Sequence, residues 1–202
     1  MPPDYYVKLP EGYIVFEFKD SLTNAKVKES RDADKLFKDI KKKFFENDKG
    51  KHKGITQLLD SVQAIQKGDF FFDNTKNDSF IYPVLVVDNP VYCMRGMHTI
   101  LDYMMREECT KRGLQSDQIK PLVLMDVATL KLYSDYLNSN GLINTFEQYY
   151  LHISLKGSIV KNDPFETLIS FTEYMKDKNI GNMHKIFDRL LHEAAPLLRH
   201  YY

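Results

Sequence analysis

Glu17 and Lys19 flank a single phenylalanine at the end of the apolar run Tyr13-Ile14-Val15-Phe16. Residues two apart on an extended strand project from the same face, so this spacing sets a carboxylate beside an ammonium. The carboxylate can hold a divalent cation, and the ammonium can steer a water or steady charge developing on a phosphate. Such a pair suits metal-dependent hydrolysis of a phosphodiester. The spacing alone is common, since a chain of this composition should carry roughly three acid-x-Lys triplets by chance. Asp39-Ile40-Lys41 is another, but it falls in a helical pattern, where residues two apart splay by roughly 160°. Strand context singles out Glu17-Phe18-Lys19.

The elements around this triplet can be read from residue spacing. Residues 4–9 form a short strand, Pro10-Glu11-Gly12 a turn, and residues 13–19 a second strand. The turn chemistry favours a bulged three-residue loop, which sets Leu9 opposite Tyr13 and Asp4 opposite Phe18, away from the Glu17 face. A two-residue loop at Glu11-Gly12 would instead set Asp4 opposite Lys19, on that face. Residues 20–31 are polar and read as loop. Residues 32–46 fit a helix with Leu36, Phe37, Ile40 and Phe44 inward, and residues 53–66 a second with Ile55, Leu58, Leu59, Val62 and Ile65 inward, closed by Gly68.

Downstream, residues 79–88 are rich in β-branched side chains and read as a buried strand, with Pro83 placing its first half at a sheet edge or bulge. A helix over 96–111 and a strand over 119–125 follow, and Asp126 or Thr129 opens a helix through Leu137. Strands alternating with helices predict an α/β fold with a mixed sheet. The last third reads as helical. Thr145-x-x-Gln148 is a capping box for a helix to about residue 155, and Asp163-Pro164-Phe165-Glu166 starts one to about residue 176. A final helix spans 182–199. The division expected is an α/β core over 1–137 with a helical C-terminal extension, 138–202, packed on it.

With 202 residues, 43% of them hydrophobic and 28% charged, the chain has the composition of a globular domain. It lacks the long apolar run of a membrane span and the basic start of a signal peptide, so a cytoplasmic setting without a membrane partner is expected. Two cysteines, Cys93 and Cys109, make no disulfide framework. The histidines show neither HExxH nor HxxxH spacing, which argues against zinc. There is no Gly-rich phosphate loop and no G-x-S-x-G elbow. Twenty-eight basic and 28 acidic residues balance to zero, where a nucleic-acid binder often shows a basic excess. Locally the balance differs. Lys35, Lys38, Lys41, Lys42, Lys43, Lys49, Lys51 and Lys53 crowd one stretch against Asp39, Glu46 and Asp48, and such a run can track a phosphate backbone.

Pro3-Asp4, followed after twelve residues by Glu17-Phe18-Lys19, resembles the motif of the PD-(D/E)xK nuclease superfamily. Gln57, one turn into the helix after the motif strand, matches the Lys or Gln that many members carry there. The runs Ile81-Tyr82-Pro83-Val84-Leu85-Val86-Val87 and Ile119-Lys120-Pro121-Leu122-Val123-Leu124-Met125-Asp126 resemble the next strands of the family core. The likeness covers roughly residues 3–135. It implies a restriction-endonuclease-like mixed sheet flanked by helices, and a metal-dependent DNA endonuclease. Mg²⁺ or Mn²⁺ would be held by Asp4, Glu17 and the Phe18 carbonyl. The catalytic set would be Asp4, Glu17, Lys19 and Gln57, with Lys53, Lys41, Lys42 and Lys43 on the DNA.

In the family a helix and a first strand precede the Asp-bearing strand, and neither is expected here. That implies a truncated core, possible inactivity as a fragment, and a sheet edge open to a homodimer mate or another completing strand. The alternative function is a non-catalytic nucleic-acid- or protein-binding α/β module derived from a nuclease fold.

Overall fold

Two apolar faces on every central strand dictate the layering. The computed structural model describes residues 2–20, 29–30, 32–73, 79–159 and 167–178. The sheet has four strands: β1 (Tyr5–Leu9), β2 (Gly12–Lys19), β3 (Phe80–Val87) and β4 (Val123–Asp126), in the order β1-β2-β3-β4. β1 and β2 are an antiparallel hairpin, and β2, β3 and β4 run parallel. The chain therefore has the mixed sheet and α/β class that the strand–helix alternation predicts.

Helices α1 (Ala33–Phe44) and α2 (Gly54–Lys67) connect β2 to β3, and α3 (Met97–Arg112) connects β3 to β4. They bury Ile40, Phe44, Ile55, Leu58, Leu59, Leu101 and Met105 against Val15, Leu85, Val87 and Leu124 on one face of the sheet. Beyond β4 come α4 (Val127–Leu132), α5 (Ser134–Asn140), α6 (Leu142–Ile159) and α7 (Phe171–Lys178). Phe146, Tyr149, Phe171 and Tyr174 from the last two pack on Ile14, Phe16, Val84, Val86 and Met125 of the opposite face. Helices on both sides let β3 be apolar at nearly every position, as a doubly covered parallel strand must be. No helix among the described residues is long and apolar enough to cross a membrane.

Several expectations are corrected. The hairpin loop is Pro10-Glu11, because Leu9 pairs with Gly12. Gly12 starts β2 with φ +155°, and a Cβ there would collide with the Phe80 carbonyl of the neighbouring strand. It serves close strand approach instead of a bulge. The strand expected over 119–125 is interrupted: an isolated bridge joins Ile81 to Ile119, and regular pairing resumes at Val84 with Val123. Ile81 N–H bonds toward this side, to the Gln118 carbonyl, so alternation aims position 83 the same way. Pro83 has no N–H to give, and Leu122 N–H turns instead to Asp102 Oδ1 at 2.7 Å. Pro83 thus marks a gap inside the sheet, on a strand flanked on both sides.

The expected box at Thr145 is not a cap. Helix α6 starts three residues earlier, and the Thr145 hydroxyl donates back to the Gly141 carbonyl at 2.9 Å. Asp126 does cap, accepting from Thr129 N–H at 2.7 Å. Asp163-Pro164-Phe165-Glu166 and the helix expected over 182–199 lie outside the described residues.

Candidate metal and phosphodiester site

Register decides whether the motif residues meet. Partners in the hairpin sum to a constant, from Leu9 with Gly12 to Tyr5 with Phe16. One step further sets Asp4 across from Glu17, a register one residue short of the bulged-loop pairing with Phe18 and two short of the alternative pairing with Lys19, yet still on the Glu17 face. Phe18 N–H donates to Asp4 Oδ2 at 2.8 Å, fastening the start of the hairpin to its end. Since N–H and C=O of one strand residue point to the same side, the Phe18 carbonyl also looks toward Asp4. Lys19 obeys the alternation, turning its carbonyl the other way to accept from Asp88 N–H at 3.1 Å.

Glu17 and Lys19 pair in register with Leu85 and Val87, so their side chains lie on the face covered by α2. The Glu17 side chain is 1% exposed and Lys19 18%, with Lys19 Nζ 2.6 Å from Glu17 Oε1. The other oxygen, Glu17 Oε2, is buried and has no hydrogen-bond partner. Burial pushes the Glu17 carboxyl above its ordinary range, and the Lys19 ammonium offsets part of that rise. The nearby Asp4 carboxylate adds to it. A buried carboxylate with one oxygen paired and one unmatched is costly, and a buried polar atom left without a partner calls for an explanation such as a ligand.

Helix α2 closes the corner. A Cβ at Gly54 would lie 3.2 Å from the Phe44 carbonyl oxygen and 3.5 Å from Lys19 Cγ. With φ at +32°, glycine lets the helix start against both the last turn of α1 and the Lys19 stem. Thr56 locks this junction. Its hydroxyl accepts from Lys53 N–H at 2.9 Å and is placed to donate to the Phe45 or Lys53 carbonyl. Thr56 stands three residues after the N-cap Lys53, the place where a capping box ordinarily carries Glu or Gln, so this role has no clear sign in the sequence.

The remaining motif residues take these positions. Gln57 is half-buried at the fourth position of α2, and Lys53 is the half-buried N-cap. Lys41 and Lys42 are exposed on the last turn of α1, where Lys42 pairs with Asp48. Lys43 turns inward, 2.5 Å from Asp39 Oδ2 and 3.0 Å from the Tyr92 hydroxyl. Burial works against its charge, but Asp39 and Tyr92 outweigh it and raise its pKa above the usual lysine range. An open trough of about 570 Å³ runs along this helix, lined by Lys35, Lys38, Lys41 and Lys42 together with Asp39, Glu46 and Asp48. The basic run is therefore partly neutralised by its own acids.

Other polar features gave little or no signal in the sequence. His98 is 6% exposed, with Nδ1 unpartnered and Nε2 3.2 Å from the Thr99 hydroxyl. It lines a cavity of about 310 Å³ with Asp102, Tyr149 and Tyr150. Asp60 joins His52 and Arg112 at 2.7 and 2.8 Å. Among the described residues, no group of three or more His, Cys, Asp or Glu side chains is gathered to hold a metal. The donor set at the hairpin is two carboxylates and a backbone carbonyl, all hard oxygens. That set fits Mg²⁺, which takes few protein ligands and keeps several waters.

Fold and site together define an α/β protein in which one hairpin carries two acids and a lysine onto the face of a mixed sheet. No family model matches the chain, and no curated protein or solved structure matches it either.

Proposed function

We propose that this chain is a metal-dependent DNA endonuclease of the PD-(D/E)xK type, with a restriction-endonuclease-like core. The observation that carries the reading is the hairpin register, which ties Asp4 to Phe18 N–H across from buried Glu17. The order of hairpin, helix bearing Gln57 and parallel strand adds support.

Asp4, Glu17 and the Phe18 carbonyl would hold Mg²⁺ or Mn²⁺, with the unpartnered Glu17 Oε2 as a natural ligand. The ion supplies an activated water and stabilises charge on the phosphate oxygens. Lys19 supplies a fixed positive charge that orients the attacking water or stabilises the phosphate as negative charge builds. Gln57 and Lys53 stand on the turn of α2 nearest Lys19 and would position that ammonium or a phosphate. Lys41 and Lys42 would meet the DNA backbone, and Lys43 would join them by leaving Asp39.

The assay is nicking of supercoiled plasmid in Mg²⁺ or Mn²⁺. The wild type should cut, and Glu17→Ala and Lys19→Ala should each lose about 100-fold or more. Absence of cleavage by the wild type, or equal cleavage by Glu17→Ala, refutes the active nuclease. A second reading, a non-catalytic binding module, is favoured by the Lys19–Glu17 pair, which already neutralises the central carboxylate. In that reading the outer edge of β1 accepts a strand from a second copy or another partner, and DNA or protein is bound without being cut.

A further inference from the structure

We propose that Lys19 is an internal competitor for the metal: its ammonium occupies Glu17, so a divalent cation binds weakly until Lys19 is drawn away, and a phosphate of the substrate draws it. This rests on the metal reading above and concerns how that site is regulated.

The geometry is specific. Lys19 Nζ stands 2.6 Å from Glu17 Oε1, and the carboxylate is 1% exposed. A second cation on Glu17 Oε2 would share one buried carboxylate with the ammonium, separated by little more than the width of the carboxyl group. Like charges at that range repel strongly where water is scarce. Asp4 offers limited relief, because its Oδ2 already accepts from Phe18 N–H. The start of α2 also lies close to the Lys19 stem, where a Cβ added at Gly54 would come to 3.5 Å from Lys19 Cγ.

A phosphodiester supplies the missing anion. Once Lys19 turns to a phosphate oxygen, Glu17 is left to the metal, and each ligand makes room for the other. By linkage, metal and nucleic acid then bind cooperatively, each raising the affinity of the other by the same factor. The chain would carry little metal at rest and load it on substrate.

The test measures Mn²⁺ affinity directly, by electron paramagnetic resonance of the free ion, with no cleavage involved. Lys19→Met should bind at least about tenfold more tightly than the wild type, whereas Lys19→Arg, which keeps a cation, should stay within about threefold of it. Equal, measurable affinities in the wild type and Lys19→Met overturn the competition and leave the nuclease reading standing. No binding by any form overturns both. A measurement on the wild type covers the case in which Lys19→Met does not fold. In ¹⁵N spectra of the lysine ammonium groups, Mg²⁺ should shift the Lys19 signal as the Glu17 carboxyl signal moves. A Glu17 response with Lys19 unmoved, or no response from either, overturns the proposal.

Discussion

Removing Lys19 should cost stability because it strands a buried charge. In the folded chain the ammonium sits 2.6 Å from Glu17 Oε1, with Glu17 1% and Lys19 18% exposed. Breaking a buried pair by deleting one partner costs about 3–5 kcal/mol. The residual exposure of Lys19 admits some screening, which puts Lys19→Met at about 2–3 kcal/mol. Glu17→Gln keeps the shape and frees Lys19 to reach solvent, at a cost of about 1 kcal/mol. The double variant Glu17→Gln/Lys19→Met contains neither charge and should cost little more than Glu17→Gln alone. The coupling between the two sites is therefore about 2 kcal/mol. Urea unfolding in chelator-containing buffer gives all four stabilities, and Lys19→Met should melt about 4–10 °C below the wild type. Single effects that add to within about 0.5 kcal/mol would refute the reasoning, because they describe two solvated side chains.

Two further perturbations test the surroundings. Burial holds His98 down from 6.5 to about 4, so the fold accommodates the neutral ring while the unfolded chain takes a proton below pH 6.5. The stability His98 permits is complete above pH 6.5 and falls by about 1.4 kcal/mol per pH unit toward pH 4, up to about 3 kcal/mol. His98→Gln should flatten that slope in urea unfolding measured across the window, and an unchanged slope would contradict its burial. Thr56→Val keeps the volume but removes the hydroxyl between the end of α1 and the start of α2, and should cost about 2 kcal/mol by the same measurement. A loss below about 0.5 kcal/mol would show that the junction does not depend on it.

Much of the architecture is legible because the signals are local. The apolar face of α2, the stop at Gly68 and the β-branched run of β3 each lie within one short stretch of sequence, whereas on α1 only Ile40 and Phe44 of the expected face are buried and Leu36 and Phe37 are exposed. What escaped was set by residues far away in the chain. Pro10-Glu11-Gly12 fits several loops, and the choice is made by Phe80, whose carbonyl leaves no room for a Cβ at residue 12. The break before β4 is dictated by Pro83 in the neighbouring strand. Helix α7 is a different case. Ser170 and Glu173 cap each other, Ser170 N–H reaching Glu173 Oε2 at 3.0 Å and Glu173 N–H reaching Ser170 Oγ at 3.2 Å. That box is a local Ser-x-x-Glu pattern, which competes in the sequence with the Asp-Pro helix start a few residues upstream. At the site, the shared face of Glu17 and Lys19 followed from strand periodicity. Their burial and direct pairing depend on α2 and β3, which no two-residue spacing reports.

The gap at Pro83 divides the sheet into parts of unequal strength. Pairing of β2 with β3 runs the whole length of both strands, while β4 holds β3 only over Val84–Val87 beyond one isolated bridge. Cooperative opening should begin at that seam, as a sub-global unit that parts β4 from β3 before the rest unfolds. The hairpin, α1 and α2 stand on the far side of it. The corner holding Asp4, Glu17 and Lys19 would then keep its shape through fluctuations that have already loosened the other half of the molecule.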